Sequence, residues 1–185
     1  AVNGTLYGTS LNGGSYHGGT AFSLTTSGAF RVLHNFGASA DGSSPNAGLT
    51  ALHGTLYGTT MQGGAYHAGV LFSLSKSGDE RILHDFGSGS DGTSPDGPLA
   101  VSNGVLYGTT ESGGDYGKGT LFSMTTSGTE TILHSFGHSS DGAQPVGKLL
   151  PVNGTFYGVT VYGGNVCNGA GCGTVFSYLT SVAPK

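Results

Sequence analysis

Tryptophan is absent from this chain, charge is scarce, and no long apolar run occurs anywhere along it. Only 9% of the residues are charged, 6 Lys and Arg against 10 Asp and Glu, for a net charge of −4. Binding to nucleic acid by counterion release needs clustered Lys and Arg, and without such clusters a nucleic-acid partner is excluded. Spanning a membrane as a helix takes about 20 consecutive apolar residues. No stretch approaches that length and none is basic and amphipathic, so membrane insertion is not expected. A 3.6-residue apolar period is missing as well, so helix is not expected. The start carries no charged-then-apolar leader, which reads as a mature or trimmed chain.

What the chain has is glycine, 37 in 185 residues, with 36% hydrophobic content. The glycines follow no Gly-X-Y period, and the apolar content is too high for disorder. They recur instead at fixed places in a repeat. Tyr7, Tyr57, Tyr107 and Tyr157 stand fifty residues apart, within Gly4–Thr9, Gly54–Thr59, Gly104–Thr109 and Gly154–Val159. Such a period means one supersecondary unit copied along the chain.

The second copy reads most cleanly. Leu49–Leu52 and Thr55–Thr60 are short apolar runs separated by His53-Gly54, where the other copies place Asn-Gly. Asn-Gly between apolar runs marks a type I′ hairpin, because both turn residues need positive φ. A loop with Gly63-Gly64 follows, then a strand over Val70–Ser75, a Ser77-Gly78 turn and a strand over Glu80–Phe86. A polar connection from Gly87 to Pro98 closes the unit. Four strands in meander order make one propeller blade. The expected fold is therefore all-β: a four-bladed β-propeller in one domain, residues 1–185, with blades at about 1–48, 49–98, 99–148 and 149–185. The last blade lacks a counterpart of the Leu-His-x-Phe strand, which leaves an edge open to strand addition.

Three sets of residues are candidates for chemistry. His34, His84 and His134 recur in Leu-His-x-Phe, but on the outermost strand of each blade. They are expected to lie far apart and to serve packing and hydrogen bonding, so no metal site is assigned. Asp41, Asp91 and Asp141 recur in Asp-Gly-x-x-Pro, which is turn chemistry, one carboxylate per loop being too few for calcium. The loops between the second and third strands carry Tyr16, His17, Tyr66, His67, Tyr116 and Lys118, with Tyr162 just before the last of them. Repeated aromatic and polar side chains on one rim suit a multivalent carbohydrate site; the alternative is that the tyrosines pack each loop against the next blade. No nucleophile elbow or metalloprotease pattern is present. Acidic residues such as Glu80 and Glu130 are read as not recurring as a pair, and the central Gly-rich strand offers little for a polar axial site. An enzyme is not expected, nor is a cofactor.

Cys167 and Cys172 share one loop with no further thiolate or histidine beside them, which favours a local disulfide over a metal site. A disulfide points to an oxidising compartment. Asn3 and Asn153 match the N-glycosylation sequon, and both also occupy repeat turns.

The wording of the repeat (N-G-x-L-Y-G-T-T, then G-G, G-T-x-F-S-L, S-G and L-H-x-F) resembles the GloVer tandem repeats of bacterial exported and surface proteins, with a layout similar to Kelch blades. The resemblance covers nearly the whole chain. It implies a propeller-like fold and export, and no particular activity. Some members carry a C-x-x-G-C-G-T-V-F loop, which Cys167 to Phe176 approximates with one extra residue between the cysteines. The reading that follows is an extracellular or cell-surface, non-enzymatic component of structure or assembly, partnered by copies of itself or another surface protein. A lectin-like module binding glycans is the alternative, and an extracellular enzyme is third.

Overall fold

The computed structural model describes residues 1–2, 4–38, 40–138, 140–164 and 171–180. In chain order its strands are β1 (Thr5–Ser10), β2 (Thr20–Thr25), β3 (Phe30–Asn35), β4 (Gly42–Ser43), β5 (Thr50–Leu52), β6 (Thr55–Thr60), β7 (Gln62–Gly63), β8 (Val70–Leu74), β9 (Glu80–Asp85), β10 (Gly92–Pro95), β11 (Ala100–Ser102), β12 (Val105–Gly113), β13 (Thr120–Met124), β14 (Glu130–Ser135), β15 (Ala143–Val152), β16 (Thr155–Tyr162) and β17 (Val175–Leu179). No helix occurs among the described residues.

Each repeat folds into its own antiparallel sheet. The sheet orders are β1-β2-β3, then β5-β6-β8-β9, then β10-β12-β13-β14 with β11 also on β12, and finally β15-β16-β17. The hairpins turn as the Asn-Gly signal requires: Asn103 and Gly104 have φ of 50° and 76°, and His53 holds the same left-handed place at 49°. The connection after Gly87 differs from the plain polar loop expected. Gly92–Pro95 forms β10 on the edge of β12 away from β13, and Gly42-Ser43 pairs likewise with Gln62-Gly63. Each Asp-Gly segment thus leaves one sheet and adds to the next.

The core lies between sheets rather than within any one of them. Tyr57, Leu71 and Phe86 of the second repeat pack against Leu106, Phe122 and Met124 of the third. Ala21 and Phe36 meet Leu56 and Phe72 one junction earlier, and Leu121 and Phe136 meet Phe156 one junction later. The glycine in the middle of the Leu-Tyr-Gly-Thr strand is explained by this packing. A Cβ on Gly108 would lie 2.6 Å from Phe122 Cζ, and one on Gly58 2.6 Å from Phe72 Cζ. The phenylalanine ring rests on bare backbone, so the position admits no side chain.

At both ends of the series the same two faces are left in solvent. Leu6, equivalent to buried Leu56 and Leu106, is 49% exposed, and Val175, equivalent to buried Leu71 and Leu121, is 77% exposed. A closed ring of four blades would bury these faces against each other. In this structure neither covers the other.

Candidate functional site

The strand that carries each repeated histidine has a bulge opposite it. Leu121 pairs with His134 but Phe122 pairs with Ile132, and the shift recurs at Leu71/Phe72 and Ala21/Phe22. The bulge bends the strand, and the imidazole packs edge-on against the phenylalanine two residues on, with centroids 4.6 Å apart for His34–Phe36 and 4.8 Å for His84–Phe86. Its Nε2 meets the repeated aspartate of the following connection: 2.9 Å from His34 to Asp41 Oδ2, 2.9 Å from His84 to Asp91 Oδ2, and 2.8 Å from His134 to Asp141 Oδ2. The aspartates also accept from backbone, Gly42 N–H donating to Asp41 Oδ1 at 2.7 Å and Gly87 N–H to Asp91 Oδ2 at 3.0 Å.

A third group joins two of these pairs from the neighbouring sheet. Glu80, on β9, approaches His34 and Asp41, and Glu130, on β14, approaches His84 and Asp91; within each trio one ligand atom per residue lies within 4.8 Å of the others. Glu130 Oε2 is 3.4 Å from His84 Nε2. The carboxyl groups respond to this company. Burial, reinforced by the charge of Asp41, pushes Glu80 up to about 7. Burial and Asp91 do the same to Glu130, also to about 7. His34 is raised, chiefly by its hydrogen bond to Asp41. For His84, burial works downward, but the hydrogen bond to Asp91 and the surrounding carboxylates outweigh it and the net shift is upward. For Asp91, burial works upward, and the hydrogen bond and charge of His84 reverse it to a net lowering.

These trios depart from the sequence reading in two ways. The histidines are indeed separate from one another and hydrogen-bonded, but each aspartate is a partner rather than only a turn residue. Glu80 and Glu130 do stand at equivalent positions, fifty apart, so the reading that the acids do not recur is corrected. The signal was available: His and Asp keep a seven-residue spacing in all three copies, and the glutamates share the period.

The loop residues divide. Tyr16, His17 and His67 line one polar groove of about 620 Å³ between the first two repeats, with Asp41, Ser43 and Gln62. Tyr116 lies instead on a second groove of about 560 Å³, beside His138 at a centroid distance of 5.4 Å. Tyr66, Lys118 and Tyr162 line neither groove. Tyr16, Tyr66, Tyr116 and Tyr162 are all exposed rather than packed against the next sheet. His17 and His67 hold the left-handed backbone, φ 61° and 56°, where the third repeat has Gly117 at 67°. A non-glycine residue there costs about 1–3 kcal/mol, a strain that clusters at ligand sites.

Asn153 is an exposed turn residue with φ 49°. Asn3 and Cys167 lie outside the described residues, which leaves the Cys167–Cys172 bridge a matter for proposal.

Comparison with known proteins adds the following. Streptogramin B lyase superposes with a TM-score of 0.54 at 14% identity, over 98% of this chain and 53% of its own. Selenomethionine-substituted virginiamycin B lyase from Staphylococcus aureus gives 0.56 at 16% identity, over 95% of this chain and 56% of its own. The chain thus spans about half the length of these structures, and identities this low show the fold alone. No curated protein matches the chain. The expectation that the chain is not an enzyme is corrected here, because proteins of this propeller-like fold include lyases. The model of the Gloeobacter/Verrucomicrobia repeat matches residues 1–182. With the fifty-residue unit, the Leu-His-x-Phe strand and the sheet-on-sheet core all in place, the chain belongs to the Gloeobacter/Verrucomicrobia repeat family.

Proposed function

We propose that the chain is a self-associating structural module of the cell surface or extracellular matrix, its repeats being four propeller blades. The observation that supports this most is the pair of terminal faces. Every internal junction buries a Leu71-type face against a Leu106-type face, and the chain presents one of each to solvent, at Val175 and at Leu6. Leu150, Tyr157 and Val159 extend the first of these surfaces. Repeat proteins gain stability from neighbouring repeats, and uncovered terminal faces favour more of the same. Head-to-tail docking of a second copy would reproduce an interface that the chain already builds three times. Among the described residues β17 is also an edge strand, which adds the strand-addition route.

Export is part of this reading. A Cys167–Cys172 bridge suits an oxidising compartment, and a surface with few charges and many Ser, Thr and Gly suits a durable extracellular material. Light scattering over a concentration series tests the proposal. Wild type is expected to exceed the 18.4 kDa of one chain, and Leu6→Asp or Val175→Asp to return it to that mass. Wild type remaining at one chain mass at every concentration would sink it.

A second reading, glycan binding, rests on the groove that joins Tyr16, His17 and His67. Left-handed histidines and an exposed tyrosine lining one polar groove suit ring stacking with directional hydrogen bonds.

A further inference from the structure

The two His–Asp–Glu trios have a composition and spacing that the packing of the repeats does not itself require. We propose that each trio, His34–Asp41–Glu80 and His84–Asp91–Glu130, binds one divalent transition-metal ion of the Zn²⁺ or Mn²⁺ type, tying one repeat to the next.

The donor set comes first. One imidazole and two carboxylates suit borderline first-row ions, and they offer too few oxygens for a calcium site. Distances come second. Bonds of about 2.0–2.2 Å to nitrogen and oxygen place the donors around a tetrahedral ion a little over 3 Å apart. His84 Nε2 lies 2.9 Å from Asp91 Oδ2 and 3.4 Å from Glu130 Oε2. Small shifts of side chains alone would open that triangle around an ion.

The unexplained atoms come third. Glu80 Oε1 and Glu130 Oε1 are both buried without a hydrogen-bond partner, Glu130 Oε1 being the second oxygen of the carboxylate whose Oε2 approaches His84. A buried polar oxygen left unpaired costs about 1–3 kcal/mol, more if charged, and asks for an ion or water. It is notable that the same orphan occurs in both trios and belongs in each case to the residue that crosses from the neighbouring repeat. Two carboxylates and one histidine crowd into a space that a single divalent charge would neutralise.

The chain also contains its own control. His134 and Asp141 form the same pair at 2.8 Å, but no glutamate from the last sheet belongs to a trio with them among the described residues. That pair is the most open of the three, with side chains 41% and 26% exposed against 22% and 7% for His84 and Asp91. In the first repeat, where no histidine pair faces the position, Phe30 stands in place of the glutamate. At this position of the repeat, glutamate therefore stands where a His–Asp pair faces it and phenylalanine stands in the first copy.

Titration of chelator-treated protein with Zn²⁺ by calorimetry, and with Co²⁺ by visible absorption, tests the proposal. The expected result is two ions per chain, with cobalt d–d bands that Zn²⁺ abolishes. Glu80→Gln and Glu130→Gln, near-isosteric changes, should each remove one equivalent while circular dichroism stays unchanged, and His134→Ala should leave both equivalents in place. Wild-type protein that takes up no stoichiometric ion would overturn the proposal regardless of how any variant folds. So would two equivalents that survive both glutamate substitutions.

Discussion

Leu121 is 1% exposed and Val175, its counterpart one repeat later, is 77% exposed. The two occupy the same position on the same kind of strand, paired respectively to Thr109 and Val159. What separates them is the sheet that lies beyond. Stability in this chain is thus a property of junctions, and the following outcomes are expected.

Truncating a side chain at an internal junction should be far more damaging than the same change at the end. Leu71→Ala removes a fully buried side chain from the packing with Phe86, Leu106 and Phe122, which costs about 2–5 kcal/mol. Val175→Ala in a dilute, monomeric sample should cost no more than about 0.5 kcal/mol, as exposed positions do. Denaturant melts of the two variants check this, and equal losses would contradict the junction account.

Gly108→Ala should destabilise although alanine fits a strand better than glycine does. Its Cβ would come 2.6 Å from Phe122 Cζ, and the ring is fully buried between sheets. Overpacking of this kind costs about 1–3 kcal/mol. Combining it with Phe122→Leu should recover part of the loss relative to Phe122→Leu alone, which thermal melts of the three variants would register.

Chelator-treated protein should lose thermal stability as pH rises. Glu80 and Glu130 have folded values of about 7 against 4.5 in the unfolded chain. A raised folded value means a contribution that is complete below pH 4.5 and lost as pH passes through 7. His34 and His84, raised above 6.5, continue the loss at higher pH. The lowered value of Asp91 acts oppositely, but only below its unfolded 3.8. A Tm lower at pH 8 than at pH 5 is expected, with the slope flattened in a Glu80→Gln, Glu130→Gln double variant. A Tm that rises over this range would contradict the assignment.

If the groove between the first two repeats binds glycans, Tyr16→Ala and His67→Ala should each abolish array signals seen with wild type, while Tyr162→Ala should leave them intact. His67→Gly offers a finer reading. It relieves the left-handed strain at φ 56° and should raise Tm while lowering binding. Wild type that binds no glycan removes this second reading altogether.

The sequence carried the local structure far and the relations between repeats less far. Thr55–Thr60 was legible as a strand to the residue, because His53-Gly54 stands where the other copies carry an Asn-Gly turn and the run that follows is β-branched and aromatic. Gly92–Pro95 was not legible as β10, since a short Asp-Gly-x-x-Pro run has the composition of a turn and becomes a strand only by pairing with Gly113 and Thr110 on β12. The histidine, aspartate and glutamate were each visible as repeated letters. Their meeting was not, because Glu130 reaches His84 across a junction of sheets and the intervening residues carry no trace of that approach. The open terminal faces were hidden for a related reason: Val175 and Leu6 read as ordinary core residues wherever a neighbouring sheet is assumed.

The claim that the two terminal faces are halves of one repeated interface is tested most directly by cross-linking. Cysteines introduced by Leu6→Cys in one preparation and Val175→Cys in another take the places that Leu106 and Leu71 hold at an internal junction. Mixing the two under mild oxidation should give a disulfide-linked pair of chains, identified by mass spectrometry of the joined peptides, with little product from either preparation alone. Failure of the mixture to cross-link at concentrations where exposed control cysteines also stay unlinked would contradict the account.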